Sequence, residues 1–219
     1  MAYAYRIQPK RKSFLSGLSV NSIFIIVNII AFILFNILIG TGVLSIEDIA
    51  IQPANILHGQ YLWTFLTSMF MHGGYFHIFA NMISLIFIGG FVERLIGRKR
   101  YFWFYMISGL VSGAFFVLLS LIFTADMNSY AVGASGALFG IAGLMMILTP
   151  NIPLYVMFIP IPIKAKYAIP GLLFALWGIS ISANVGIGNT AHLGGLVAGI
   201  VYGIYLRKKY KRKTAMISK

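Results

Sequence analysis

The sequence contains no cysteine, and only four of its 219 residues are acidic. The absence of cysteine excludes disulfide bridges, a thiolate nucleophile and cysteine-based metal sites. A His-Glu-x-x-His zinc motif is also absent. Both aspartates, Asp48 and Asp126, fall in expected loops, so a pair of membrane-embedded catalytic aspartates is excluded as well. We therefore predict that the protein uses neither a metal nor another cofactor.

Charge is scarce throughout the chain. Charged residues make up 10% of it and hydrophobic residues 59%, whereas soluble domains contain about 25% charged residues. This composition predicts an integral, multi-pass membrane protein. At about 20 apolar residues per crossing, the length suits an all-α bundle of roughly six transmembrane helices. We predict these helices at residues 20–39, 75–91, 101–123, 135–148, 166–182 and 191–206.

The basic residues are confined to four short clusters, at residues 6–12, 94–100, 164–166 and 207–219. Because basic loops remain on the cytoplasmic side, both termini are predicted to be cytoplasmic. The chain then divides into a basic segment (residues 1–19), a six-helix domain (residues 20–206) and a basic tail (residues 207–219). We expect these basic ends to contact anionic lipids rather than nucleic acid. The sequence indicates no oligomeric state.

Two features lie at the membrane surfaces. The long outer connection, residues 40–74, contains apolar pieces at 46–51 and 61–71 that are too short to cross, and we predict interfacial or re-entrant helices there. At the inner surface, Tyr101, Trp103 and Tyr105 are expected to form an aromatic belt.

Polar residues open the three helices that descend from the outer face. His77 and Asn81 begin the second helix, Ser135 the fourth and His192 the sixth. All four should therefore lie at similar depth, with His77 and Asn81 on one helix face. The fourth helix is only about 21 Å long, so Ser135 can lie below the surface beside a water-filled cavity.

Small residues recur at every fourth position of two helices. They are Ala191, Gly195, Gly199 and Gly203 on the sixth, and Gly136 and Gly140 on the fourth. Such faces permit close backbone approach. The spacing predicts contact between these helices, which makes a hydrogen bond between Ser135 and His192 plausible.

These residues suit acyl transfer. His192 would act as the general base, and Ser135 would attack a peptide carbonyl. The Ser135 N–H, His77 and Asn81 would stabilise the oxyanion. No acid is placed behind His192, which favours a dyad over a triad. Structural roles remain open: a backbone hydrogen bond for His77, a contact between helices for Asn81, and an interfacial position for His192.

Four motifs occur in order along the chain. They are His72-Gly-Gly-Tyr-Phe-His77-x-x-x-Asn81, Glu93-x-x-x-Gly97, Gly133-Ala-Ser135-Gly136 and Ala191-His192-Leu-Gly-Gly195. With them, the chain resembles the rhomboid family of intramembrane serine proteases over about residues 63–203. The resemblance implies Ser135 as nucleophile, His192 as base, and His77 and Asn81 as oxyanion stabilisers. It implies an ancillary role near the site for His72.

The resemblance also implies a partly embedded first loop at residues 40–74, and a mobile fifth helix and outer cap that admit substrate. Substrates would be single-span membrane proteins cut near the outer face. We place Gly133, Gly136 and Phe139 near the site as well. We expect the plasma membrane of a prokaryote as the location.

Two departures from the family pattern stand out. Many bacterial members have a Trp-Arg pair in the first loop, but here Thr64 follows Trp63, which questions how this loop is anchored. Many members also have a tyrosine four residues after the serine, whose ring stacks on the catalytic histidine. Here Phe139 keeps the ring without the hydroxyl, and we expect activity to survive.

Two alternatives remain. A catalytically inactive relative could bind membrane proteins as clients, but such proteins are expected to lack Ser135 or His192. A small channel or transporter could use His77, Asn81 and His192 as a path, but transporters often show internal repeats, and none is evident in this sequence.

Overall fold

The structure, a computed structural model, describes residues 17–156, 159–183 and 186–211. Helices dominate this part of the chain. We number them α1 (Val20–Gly40), α2 (Pro53–Leu57), α3 (Thr64–Thr67), α4 (Tyr75–Ile96), α5 (Arg98–Leu119), α6 (Ser135–Leu148), α7 (Ala165–Ala183) and α8 (Asn189–Lys209). The described chain is thus a helical bundle.

Four of these helices, α1, α4, α5 and α7, are long and apolar enough to cross a membrane. An integral membrane protein is therefore supported, while the count of six spans stays a prediction. The basic residues at positions 6–12 lie outside the described residues, as does the end of the basic tail from position 212. The cytoplasmic termini and the division into three segments likewise stay predictions.

Helix α6 lies at the centre of the bundle. It is apolar all round, and Ile141 and Leu144 are fully buried within it. A helix that is hydrophobic on every side is stable only when other helices surround it. Its neighbours are α5 and α8, so Ser135, the first residue of α6, lies inside the bundle.

The peripheral helices have a different surface. On α1, Ile30 and Ile33 are more than half exposed, as are Phe174 and Ile181 on α7. Apolar side chains exposed in this way suit a lipid environment rather than water. Helices α1 and α7 therefore present their apolar faces outside the protein core.

Buried polar groups join the start of α1, the last part of α4 and the start of α5. The Asn21 side chain donates to the carbonyl of Leu85 at 2.7 Å and accepts from the Tyr101 hydroxyl at 2.6 Å. The Glu93 carboxylate accepts from the two backbone N–H groups that open α1, at 2.9 and 2.8 Å. A π-helical turn in α4, Leu85–Gly89, lies at this junction.

Several sequence expectations need correction here. Tyr101 and Tyr105 are fully buried, so the predicted aromatic belt is wrong for them. The predicted second helix ended too early, since α4 continues to Ile96. The charged Glu93 does not mark the end of the helix at a surface, because its carboxylate is buried and caps the start of α1. Helix α5 runs over Arg98–Leu119, and so begins and ends earlier than predicted.

The outer connection is less helical than predicted. It contains a 3₁₀ turn at Ile46–Asp48 and the short helices α2 and α3. Backbone hydrogen bonds pair Ile51 with Ala131, in the loop that precedes Ser135. The Trp63 indole donates to the Asp48 carbonyl at 2.8 Å. This loop is therefore anchored without the Trp-Arg pair.

The loop between α6 and α7 contains an element that the sequence did not suggest. Two short strands, β1 (Pro153–Leu154) and β2 (Ile163–Lys164), pair in antiparallel register. Their pairing holds the loop close to the start of α7.

Candidate active site

Ser135 and His192 meet at the N-terminal ends of the two central helices. Ser135 begins α6, and His192 lies in the first turn of α8. The Nε2 atom of His192 is 2.9 Å from Ser135 Oγ. His192 is only 6% exposed. A serine hydroxyl in hydrogen-bond contact with a buried imidazole is the arrangement from which a general base can remove the serine proton.

Glycines bring the two helices together at this point. A Cβ atom at Gly195 would overlap the Gly136 carbonyl oxygen, and one at Gly199 would overlap that of Gly140. The backbones of α6 and α8 are therefore in direct contact, which small residues at every fourth position permit. We call these four glycines, with Gly143 and Gly203, the glycine seam.

Side chains also fix the first turn of α8. The Ser112 hydroxyl of α5 donates to the Ala191 carbonyl at 2.7 Å. The Thr190 hydroxyl donates to the Asp126 carboxylate at 2.9 Å. Both contacts are made by the two residues that immediately precede His192. Sequence reasoning missed them, because Asp126 and Thr190 are far apart in the chain and neither belongs to a recognisable motif.

The position and tautomer of His77 follow from its neighbours. The Gly73 N–H donates to His77 Nδ1 at 3.3 Å. A neutral imidazole has one donor and one acceptor nitrogen, so Nε2 then carries the hydrogen. A Cβ atom at Gly133 would lie 2.8 Å from Cε1 and Nε2 of His77. The His77 N–H donor is thus held against the turn that precedes Ser135.

Gly133 is required by this turn for a second reason. Its φ angle is +122°, a conformation that side chains with a Cβ atom rarely adopt. Its own N–H donates to the Ser68 carbonyl at 2.8 Å. The outer connection therefore holds the backbone that leads into Ser135.

Asn81 is buried and one turn below His77. Its amide donates to the His77 carbonyl at 2.8 Å, a hydrogen bond within its own helix. An amide group has two hydrogens, so this contact uses one of them. The sequence prediction of a shared helix face for His77 and Asn81 agrees with this i, i+4 contact.

His72 lies behind His77. It is fully buried, and the two rings meet edge to face with centroids 5.1 Å apart. Its Nε2 atom accepts from the Ala134 N–H at 3.5 Å. Burial, together with the nearby His77, lowers the pKa of His72 to about 4. A neutral His72 thus supports the residue that immediately precedes Ser135.

The Phe139 ring stacks on His192. The ring centroids are 4.6 Å apart and the planes differ by 22°. Stacking requires only the ring faces, so the phenylalanine provides this contact without the hydroxyl that many family members have.

Among the residues that the structure describes, no group of three or more histidine or acidic side chains is placed to hold a metal ion.

Comparison with known proteins gives consistent matches. The family model described as the Rhomboid domain matches residues 59–209. "RHOMBOID-like protein 1" of Arabidopsis thaliana is 37% identical over 174 residues, which cover 77% of this chain and 41% of the relative. "Rhomboid protein 1, mitochondrial" of Saccharomyces cerevisiae is 28% identical over 148 residues, 67% of this chain and 42% of the relative.

A third relative bears on activity. "Inactive RHOMBOID-like protein 8" of Arabidopsis thaliana is 32% identical over 140 residues, 63% of this chain and 36% of the relative. The chain spans about half the length of the curated relatives it matches. These relatives are plant and yeast proteins, so the expected plasma membrane of a prokaryote gains no support from them.

Proposed function

The chain belongs to the rhomboid family, and we propose that it is an intramembrane serine endopeptidase. The observation that carries this proposal is the 2.9 Å contact between Ser135 Oγ and His192 Nε2. Both groups lie at the start of helices that are apolar and closely packed. Polar side chains are costly in such apolar surroundings, and a catalytic role would explain why two of them are in contact here.

In the proposed first step, Ser135 Oγ attacks the carbonyl carbon of a substrate peptide bond while His192 Nε2 takes the hydroxyl proton. The imidazolium then donates that proton to the leaving amine nitrogen, and the C–N bond breaks. An acyl-enzyme ester on Ser135 results. Water attacks this ester with His192 again acting as base, which releases the second product and restores the serine.

The negative charge on the tetrahedral intermediate needs donors that are already oriented. The first N–H groups of α6 have no partner within the helix, and the helix dipole favours an anion at this end. His77 Nε2–H lies against the turn before Ser135. The second hydrogen of the Asn81 amide completes the proposed oxyanion site.

The test is labelling of the detergent-solubilised protein with a fluorophosphonate probe, which reacts with activated serines. We expect wild type to be labelled and Ser135→Ala and His192→Ala to remain unlabelled, with all three proteins folded by circular dichroism. Equal labelling of the three would place the reaction elsewhere. A folded wild type that is not labelled would favour a non-catalytic, client-binding protein. The relative named as inactive is the reason for including this alternative.

Substrates of the proposed enzyme are single-span membrane proteins, cut near the outer end of their transmembrane helix. A peptide carbonyl within a helix must be freed before Ser135 can reach it, so helix-breaking residues near the cut should favour cleavage. The test is to replace glycine by leucine beside the cut of a cleaved substrate in proteoliposomes. An unchanged rate would contradict the requirement for unwinding.

We also propose six spans with both termini in the cytoplasm. Because the chain has no cysteine, single introduced cysteines can report the topology without background. Asn128, in the loop before α6, and Lys99, at the start of α5, are both exposed, and each can be replaced by cysteine. A membrane-impermeant maleimide applied to intact cells should modify the first and not the second. The reverse pattern would invert the proposed topology.

A further inference from the structure

Two buried polar atoms in the first turn of α8 have no hydrogen-bond partner. They are Nδ1 of His192 and Oδ1 of Asn189. Each residue is only 6% exposed. Residues three apart on a helix are neighbours on one face, with Cβ atoms about 5–6 Å apart. A donor nitrogen and an acceptor oxygen are therefore buried together at the start of α8.

The dyad makes the Nδ1 atom a donor. For His192 Nε2 to accept the Ser135 proton, the hydrogen of the neutral ring must be on Nδ1. A buried N–H without an acceptor destabilises the folded protein, because it has lost its hydrogen bond to water without gaining another. An imidazole without a partner at Nδ1 could also adopt the other tautomer, which cannot take the serine proton.

The acidic residues do not supply this acceptor, because each has a contact elsewhere. Asp126 accepts from Thr190, Glu93 from the start of α1, Glu47 from Tyr130 and Asp48 from Ser45. Among the described residues, Asn189 provides a buried side-chain acceptor without a partner, its amide oxygen, one helical turn from His192.

We propose that Asn189 is a positioning residue for His192, accepting the Nδ1–H hydrogen bond through one buried water. The inference rests on the proposed protease function. Buried waters typically occur where otherwise unsatisfied polar groups face a shared space, and they are nearly as effective as a direct contact. The Nδ1 hydrogen stays in place throughout catalysis, while the serine proton moves to Nε2 and then to the leaving amine.

This arrangement replaces the carboxylate of a triad by a neutral amide. Asn189 fixes the tautomer and the ring orientation, and its dipole stabilises the imidazolium less than a full negative charge would. A substituted carboxylate at this position should therefore make His192 easier to protonate.

The test measures how the rate of fluorophosphonate labelling of Ser135 in the detergent-solubilised protein depends on pH. Asn189→Ala removes the acceptor, and we expect the plateau rate to fall about tenfold. Asn189→Asp keeps an acceptor oxygen, so the plateau should survive. The pH below which its labelling rate falls should be higher than in wild type by about one unit, because a carboxylate favours the imidazolium form of His192.

Asn28→Ala is the matched control. Asn28 is also a fully buried asparagine, but it lies on α1, which carries no residue of the site. Its labelling profile should match wild type once the fraction of folded protein is taken into account. Wild-type plateaus and acidic limbs in both Asn189 variants would overturn the proposal. Equal losses of plateau rate in Asn189→Ala and Asn189→Asp would overturn it as well.

A second readout is independent of activity. The chain has only four histidines, so ¹⁵N-histidine spectra can be assigned by comparison with His192→Ala. We expect His192 to be protonated at Nδ1 in wild type and to shift towards the Nε2–H tautomer in Asn189→Ala. If the fluorophosphonate probe does not label wild type but this tautomer shift is seen, the protease function alone is rejected. If the probe labels wild type but the His192 tautomer is the same in wild type and in Asn189→Ala, only the inference is rejected.

Discussion

Glycine has opposite surroundings in α8 and α7. On α8, a Cβ atom at Gly195 or Gly199 would overlap the backbone of α6, whereas Gly171 and Gly178 on α7 have nothing within 4 Å of such an atom. The same residue type thus permits close helix contact in one place and fills no packing role in the other. Glycine content alone does not identify an interface, but glycine at every fourth position on two helices does.

The two helices therefore have different structural roles. The glycine seam fixes α6 against α8 and so sets the distance between Ser135 and His192. Helix α7 buries residues mainly in its first half, at Ala168 and Leu173 for example, and exposes Ile181 near its end. Weakly packed segments open at low free-energy cost. Changes at the seam should therefore affect chemistry, while changes on α7 should be tolerated.

We expect the largest effect when valine replaces a glycine of the seam. Gly195→Val and Gly199→Val each force the two backbones apart, at a cost of about 3 kcal/mol. We expect a lower melting temperature and strongly reduced serine labelling. The matched controls are Gly171→Val and Gly178→Val, which should leave both quantities near wild type. Similar losses in all four variants would show that the seam is not special.

A smaller effect is expected at a single contact between a seam glycine and α5. A Cβ atom at Gly136 would overlap the Ser112 side chain, so Gly136→Ala should cost about 2 kcal/mol. Replacing Ser112 by glycine in the same protein should recover part of this loss. The measurement is a double-mutant cycle on thermal stability, with Ser112→Gly alone as its fourth corner. Additive losses would mean that the two positions do not collide.

The seam and the dyad were accessible from sequence because both depend on helical periodicity. Ser135 begins α6 where predicted, and the spacing of Gly195 and Gly199 gives the face of α8 that meets it. Such patterns are local, since 3.6 residues per turn determine which side chains share a face. The serine–histidine contact then follows from which helices touch.

Other contacts are not encoded by local periodicity. The Asp126–Thr190 hydrogen bond depends on the path of an irregular loop, and the buried position of Glu93 depends on where α1 docks. A charge is normally interpreted as a sign of the surface. No pattern within a single helix indicates that a carboxylate will cap a different helix, or that Asn189 will be buried next to His192.

A further prediction contrasts hydroxyl groups on the two helices. Thr190 on α8 donates to Asp126 in the loop before α6, whereas Ser182 on α7 donates to Ile179 of its own helix. Thr190→Val keeps the shape but loses the hydrogen bond, so labelling should slow about threefold, equivalent to less than 1 kcal/mol. Thr190→Ser should restore the rate, and Ser182→Ala should match wild type. A slow Thr190→Ser variant would assign the effect to packing instead.

The smallest effects concern aromatic rings. Phe139 stacks on His192 across the contact of α6 with α8, whereas Phe174 on α7 is 69% exposed. Phe139→Leu removes the stacked ring but keeps an apolar side chain, so labelling should slow about twofold, at the lower end of the roughly 0.5–1.5 kcal/mol that aromatic pairs contribute. Phe139→Tyr keeps the ring and should label at the wild-type rate, and so should Phe174→Leu. If Phe139→Tyr were instead faster, the hydroxyl would contribute to the reaction, and the stacked ring would be only part of what this position supplies to His192.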